Sequence, residues 1–376
     1  MPCLRITAAD ELTLDSGRGE RIAIHPLWLR ERCEDARSMD AKTGQRLHDP
    51  SDLPLDLRVA GIEETAPGRY RIGFTDGHVA DFTADAILAE AALAPGDHDT
   101  PPLQLWDASL KDFPRAAWKD CAGREAPAEW IDALLRWGFL IIGGVPTHAG
   151  SVLAVAQVFG FVRETNFGKL FDVRSAPQAI DLAYTPLPLD AHTDNPYRDP
   201  VPGIQLLHCL VNETRGGFST LVDGFAVAGQ LRKQDPDAFH VLSRTPVRFR
   251  YRDDATELVA SALPIELDAT GTLRAIHFSP RLDFVPLLPA AQLNAYYRSR
   301  RAFDHLLRSP AFEIRFLLGA GDLLIMDNRR LLHGRTGFDP AEGVRHLQGC
   351  YIDGDGPRSL YRVQRRRNGG LAERKA

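Results

Sequence analysis

Residues 191–203 read AHTDNPYRDPVPG, and the histidine and aspartate two positions apart are the first residues whose types could do chemistry. In an extended strand, side chains at i and i+2 share a face, so His192 and Asp194 would present an imidazole and a carboxylate together. Toward solvent they would be ordinary polar residues; toward a cavity they would be half of a metal clamp. His333, in DNRRLLHGR directly after the strand-like run DLLIMDN, is the third candidate. Two imidazoles and one carboxylate, with the other coordination positions open, form the ligand set of non-haem Fe(II) oxygenases. Arg345 stands twelve residues after His333 and opens the next strand-like run. A guanidinium there could pair bidentately with the carboxylate of a metal-chelating cosubstrate. Taken singly, each has a plainer reading: a chance HxD, a strand-capping histidine, a surface arginine.

The elements that must position these residues are soluble in character. The chain has 376 residues, 44% hydrophobic and 25% charged, and contains no apolar run of about 18 residues that could span a membrane. The opening MPCLRITAADELTLD lacks the basic and apolar regions of a secretion signal, which makes the cytoplasm the expected compartment. Cys3, Cys33, Cys121, Cys209 and Cys350 are odd in number and scattered, unlike a disulfide framework. A net charge of −5 argues against a nucleic-acid partner. The basic end, RVQRRRNGGLAERKA, reads as a frayed, solvated tail.

Short alternating runs (RIAIHP, LDLRVAGIEE, RYRIGFTD, HVADFTADAI) predict a small β-rich domain over 1–95, followed by the breaker-rich linker APGDHDTPP. The second domain, 103–376, mixes helical stretches (PAEWIDALLRWG, SVLAVAQVFGFV, AAQLNAYYRSRRAFDHLLRS) with a larger number of strands. Without regular β–α alternation, a doubly wound parallel sheet is disfavoured. The fold class expected is mainly β, an antiparallel sheet or barrel with flanking helices.

With these features together, the chain resembles the γ-butyrobetaine and trimethyllysine dioxygenase family, within the taurine-dioxygenase-like group. The resemblance is carried by HPLWLRERC, TGQRL, DLAYT, HTDNPYRDPVPGIQLLHCL, GGFSTLVDGF, MDNRRLLHGRTGF and RHLQGCYIDGD. It implies a double-stranded β-helix (jelly-roll) core, a small N-terminal β domain and a homodimer. It also implies an oxidoreductase using Fe(II), 2-oxoglutarate and O2, with ascorbate as an aid in vitro. His192, Asp194 and His333 would hold iron, and Arg345 would hold the distal carboxylate of 2-oxoglutarate, assisted by Ser219.

The substrate implied is a small quaternary-ammonium zwitterion, read by aromatic faces because a trimethylammonium donates no hydrogen bonds. The matching positions are Phe167, Phe171, Tyr184 and Tyr351, with Asp181, Asn195 and Arg281 toward the other end. Asp181 replaces an asparagine usual in the family, and Ser279, Pro280 and Arg281 alter an asparagine-rich turn. An added guanidinium suits a phosphonate, which favours 2-(trimethylammonio)ethylphosphonate over γ-butyrobetaine. Relatives often hold structural zinc in the N-terminal domain; here only Cys33 and His78 match, with Asp35 and Ser38 at the other ligand positions, so the expectation is that zinc is lost. Two other classes stay open: a metal-dependent hydrolase using the same ligands, and a non-catalytic binding protein on the same scaffold.

Overall fold

The structure is a computed structural model that describes residues 2–6, 12–17, 19–91, 100–121, 125–174 and 185–373, with side chains as far as residue 367. The chain divides into two units, Met1–Asp97 and His98–Ala376.

The first unit holds two three-stranded antiparallel sheets, Cys3–Ile6 with Leu12–Asp15 and Arg21–Ile24, and Val59–Ala66 with Arg69–Phe74 and Val79–Thr83. In RYRIGF the alternation does the work: Tyr70, Ile72 and Phe74 are buried while Arg69 and Arg71 face out. They join Leu4, Leu12, Leu14, Leu29 and Cys33 in one core. The run HVADFTADAI is not one strand. It ends at Thr83, and Ala84–Ala91 is a helix, because the buried Ala84 and Ile87 are three apart and lie on one helical face.

The second unit is built on two sheets. The larger runs in the order Phe171–Arg174, Arg345–Ile352, Ile204–Asn212, Leu323–Asp327, Phe139–Gly143 and Arg115–Ala117, with Val162–Arg163 also beside the Arg345 strand. The smaller has Leu189–His192, Leu331–Arg335, Ser219–Asp223 and Glu313–Phe316 in that order. They face each other: one core unites Phe139, Ile141, Cys209, Leu324 and Leu347 of the larger sheet with Leu221, Ile314, Phe316 and Leu331 of the smaller. Ala128–Trp137 and Ser151–Phe159 pack with the larger sheet. Gly224–Gln234, Pro236–Leu242 and Ala290–Leu307 pack with residues of the smaller one. The architecture is mainly β with flanking helices.

In this second unit, two further local readings change. His333 does not simply follow the preceding strand. The turn at Asn328–Arg330 intervenes, and His333 lies inside a strand of its own, Leu331–Arg335, hydrogen-bonded on both sides. The described part of the basic end, residues 362–373, is not a frayed tail but part of the helix Asp355–Glu373; the last three residues lie outside the described residues. Leu360 and Tyr361 pack against the core, while Arg365, Arg366 and Arg367 stay exposed, so a single apolar face suffices to dock it.

Candidate metal centre and substrate cavity

The strand Leu189–His192 stops at His192, so Asp194 stands in the turn beyond it and not two places along a strand. Both side chains still reach the same point. His192 Nε2 lies 3.4 Å from Asp194 Oδ1. His333 arrives from the neighbouring strand, where it pairs directly with His192. Its Nε2 is 3.9 Å from the same oxygen, and the two imidazoles are 4.5 Å apart. One ligand atom from each of the three lies within 4.8 Å of the others.

The donors are prepared for a cation. His192 Nδ1 donates to the carbonyl of Asp190 at 2.8 Å, which leaves the Nε2 lone pair for a metal. His333 is neutral, its pKa pushed down to about 3 by burial, with Asp194 opposing and His192 and Arg281 adding to the shift. Burial alone would raise Asp194, yet His333, His192 and Tyr351 hold its carboxyl well below the usual range. Its second oxygen, Oδ2, accepts from Gln205 Nε2 at 2.6 Å and from the Tyr351 hydroxyl at 2.7 Å. Only Oδ1 is left facing the imidazoles. The backbone is fixed as well: Asn328 Oδ1 accepts from the Asp194 amide at 2.7 Å, and its Nδ2 donates to the Asp194 carbonyl at 3.0 Å. Two imidazole nitrogens and one carboxylate oxygen, with His192 and Asp194 each oriented by further bonds, fit a divalent iron with open positions.

Arg345 begins the strand Arg345–Ile352 and is buried. Its Nη2 donates to the carbonyl of Gly217 at 3.3 Å, and its Nε is buried with no acceptor. Gly217, in GGFST, has φ +69°, and a Cβ there would come 2.7 Å from Arg345 Nε. The glycine is needed both for its backbone and for the guanidinium. Ser219 is buried on the strand Ser219–Asp223, paired with Arg335 two places from His333.

A cavity opens beside the His–Asp–His cluster. Phe167, Phe171, Asn195, Arg281 and Tyr351 line it together with His192 and Asp194. Asp181 and Tyr184 lie outside the described residues. The structure adds two aromatics that sequence reasoning missed, Tyr197 and Tyr251, stacked at 5.1 Å. Phe167 packs edge-on against Tyr251 at 5.5 Å, and Phe171 stacks on Tyr351 at 5.2 Å. Tyr197 was in plain sight within HTDNPYRDP, whereas Tyr251, in VRFRYRD, carries no signal that its strand would reach the site. Asn195 has φ +54°, the one positive φ among the described non-glycine residues. Its Oδ1 accepts from the Tyr197 hydroxyl at 2.5 Å, and its Nδ2 is buried without a partner, as is Ser279 Oγ. Both are hydrogen-bond donors held ready at the cavity wall.

In the N-terminal unit, Cys33, Asp35 and His78 also bring ligand atoms within 4.8 Å of one another. Here the groups satisfy each other. His78 Nε2 is 2.7 Å from Asp35 Oδ2 and 3.2 Å from Ser38 Oγ, and Arg30 already supplies a cation, donating to Ser38 at 3.3 Å and to Asp76 at 2.9 Å. Burial pushes the Cys33 thiol up to about 11, away from the thiolate that zinc prefers.

Facing sheets with a His–Asp–His cluster at one wall are the arrangement of a non-haem iron oxygenase. The taurine catabolism dioxygenase TauD, TfdA family model matches residues 99–351. The chain is 38% identical over 337 residues to a γ-butyrobetaine dioxygenase of Pseudomonas sp. (strain AK-1), covering 88% of each. It is 30% identical over 343 residues to the mitochondrial trimethyllysine dioxygenase of Gallus gallus, covering 88% of this chain and 80% of the relative. In fold it is similar to a taurine dioxygenase from Burkholderia xenovorans, with a TM-score of 0.50 and 18% identity, covering 69% of this chain and 99% of that one. The chain belongs to the taurine catabolism dioxygenase TauD, TfdA family. It is a dioxygenase dependent on iron and 2-oxoglutarate.

Proposed function

We propose that the enzyme hydroxylates a small trimethylammonium carboxylate, with γ-butyrobetaine the preferred compound. The observation that carries this reading is a single cavity in which aromatic rings, unpartnered donors and the His–Asp–His cluster meet. In this reading His192, Asp194 and His333 hold iron, and Arg345, with Ser219, receives the distal carboxylate of 2-oxoglutarate. Bound there, iron and 2-oxoglutarate supply the means to activate O2 and place a hydroxyl on a C–H carbon, with succinate and CO2 as coproducts. The protein's own part is positional. Phe167, Phe171, Tyr197, Tyr251 and Tyr351 offer ring faces to the onium group. Asn195 Nδ2, Ser279 Oγ and Arg281 favour an anion at the other end.

The preference for a phosphonate, reasoned from Arg281, gives way to the carboxylate. The relatives reported above are named for γ-butyrobetaine and trimethyllysine. Arg281 does line the cavity, which keeps the phosphonate as the second reading. Family membership speaks against the hydrolase and binding-protein alternatives. The setting we infer is the cytoplasm, supported by five cysteines that form no disulfide among the described residues, with assembly as the homodimer that the resemblance implies. Among the described residues, no helix is long and apolar enough to cross a membrane.

The test is succinate release with iron, O2 and 2-oxoglutarate in the presence of γ-butyrobetaine, trimethyllysine or 2-(trimethylammonio)ethylphosphonate. The largest stimulation is expected with γ-butyrobetaine. Greater stimulation by the phosphonate would restore the second reading, and none by any onium compound would end the substrate class.

A further inference from the structure

Gly349 lies in the middle of the strand Arg345–Ile352, opposite Phe171 on one side and Leu207 on the other. It is not among the residues of positive φ, so the backbone makes no demand for glycine there. A side chain is what the position cannot hold. A Cβ built on Gly349 would overlap the Phe171 ring at Cζ and lie 2.5 Å from its Cε2 and 3.0 Å from the carbonyl oxygen of Leu206. The Phe171 ring lies back over its cross-strand partner, occupying the space a side chain would fill, which is how an aromatic covers a glycine in a sheet.

That ring is also a wall of the substrate cavity. It stacks on Tyr351 with centroids 5.2 Å apart and planes inclined by 29°. Tyr351 cannot give way, being buried with its hydroxyl bonded to Asp194 Oδ2 at 2.7 Å. Phe171 therefore sits between a strand it touches directly and a ring tethered to the metal-binding carboxylate. Pushed off the strand, the half-buried ring can move into the cavity it lines.

We propose that Gly349 is a specificity-determining residue, setting the width of the onium end of the cavity by letting the Phe171 ring recede. The inference rests on the trimethylammonium reading above. Gly349 touches no substrate; it acts through Phe171. A single added methyl moves the ring toward the space of one N-methyl group, so the preference shifts from trimethylammonium toward dimethylammonium compounds.

The test is calorimetric binding, without O2, of γ-butyrobetaine and of 4-(dimethylamino)butyrate to the iron- and 2-oxoglutarate-loaded enzyme. Gly349→Ala should weaken γ-butyrobetaine by about tenfold or more, the scale of one misplaced methyl in a tight pocket, and the dimethyl compound distinctly less. Phe171→Leu shortens the clashing group, so in the Gly349→Ala background it should return γ-butyrobetaine binding to the level of Phe171→Leu alone, a non-additive pair. Additive losses, or equal losses of both ligands together with a lowered Tm in Gly349→Ala, would show packing alone and overturn the inference. So would a Gly349→Ala enzyme that binds both ligands as wild type does. A wild-type enzyme that binds neither compound would instead overturn the substrate reading itself, and the inference with it.

Discussion

Arg345 has a cation's need for an anion: it is buried, has one carbonyl at 3.3 Å and leaves Nε without an acceptor. Burial lowers its pKa, with only the Cys209 thiol opposing, so a ligand carboxylate would restore what desolvation removes. Charge-assisted bonds of this kind are worth roughly 1.5–3 kcal/mol. Arg345→Ala should accordingly raise the KM for 2-oxoglutarate by about tenfold to a hundredfold, with iron affinity measured separately and little changed. Unaltered dependence on the cosubstrate would remove Arg345 from the site. At this scale the candidate cluster of His192, Asp194 and His333, which the fold brings together, was legible by type and spacing, and Arg345 was legible as a candidate whose role the KM measurement decides. Tyr351 was legible only as a ring. Its hydroxyl bond to Asp194 joins a strand to a turn distant in sequence, and no local pattern announces it.

The turn Asn328–Arg330 joins two strands of different sheets, and it is pinned by an ion pair removed from water. Arg330 Nη2 donates to Asp223 Oδ2 at 2.7 Å and Nε to Oδ1 at 3.2 Å, with side-chain exposures of 2% and 0%. The same guanidinium donates to the carbonyls of Arg136 and Gln104, while the Trp106 amide donates to Asp223. One pair thus ties a helix end, an incoming segment and the base of the His333 strand. Breaking such a pair from one side leaves a buried charge uncompensated, at a cost of about 3–5 kcal/mol. Asp223→Leu should lower Tm by roughly 10 °C by thermal melting; a change within a degree or two would show the pair to be dispensable. Periodicity located most elements here, including the helix Ala128–Trp137 and its stop at Gly138 with φ +81°. It could not reveal that LVDGF and DNRR meet.

At the scale of the whole molecule, the N-terminal unit has its own core and its own polar cluster. Burial favours the neutral form of Asp35, but bonds from His78, the Arg37 amide and Ser38 outweigh it and bring the carboxyl down to about 2 from the usual 3.8. A carboxyl depressed in the folded state contributes stability above its unfolded pKa and loses it as pH falls through the folded one. Stability carried by Asp35 should therefore fade between about pH 4 and about pH 2, and Asp35→Asn should flatten that part of a pH series of melting curves. In our reading these bonds replace zinc. A slope unchanged by Asp35→Asn, together with about one chelator-resistant zinc per chain in metal analysis, would reverse that reading.

The amino-acid sequence by itself determined which groups could bind a metal and an anionic cosubstrate, since ligand chemistry belongs to side-chain type, and it determined a mainly β chain, since alternation is local. Tertiary structure alone decided where those groups converge. The placement of Tyr197, Tyr251 and the Asn328 turn around Asp194, and the shape of the cavity at Gly349, depend on strands brought together from far along the chain. Cross-strand register is a property of two segments at once, and neither segment encodes it alone.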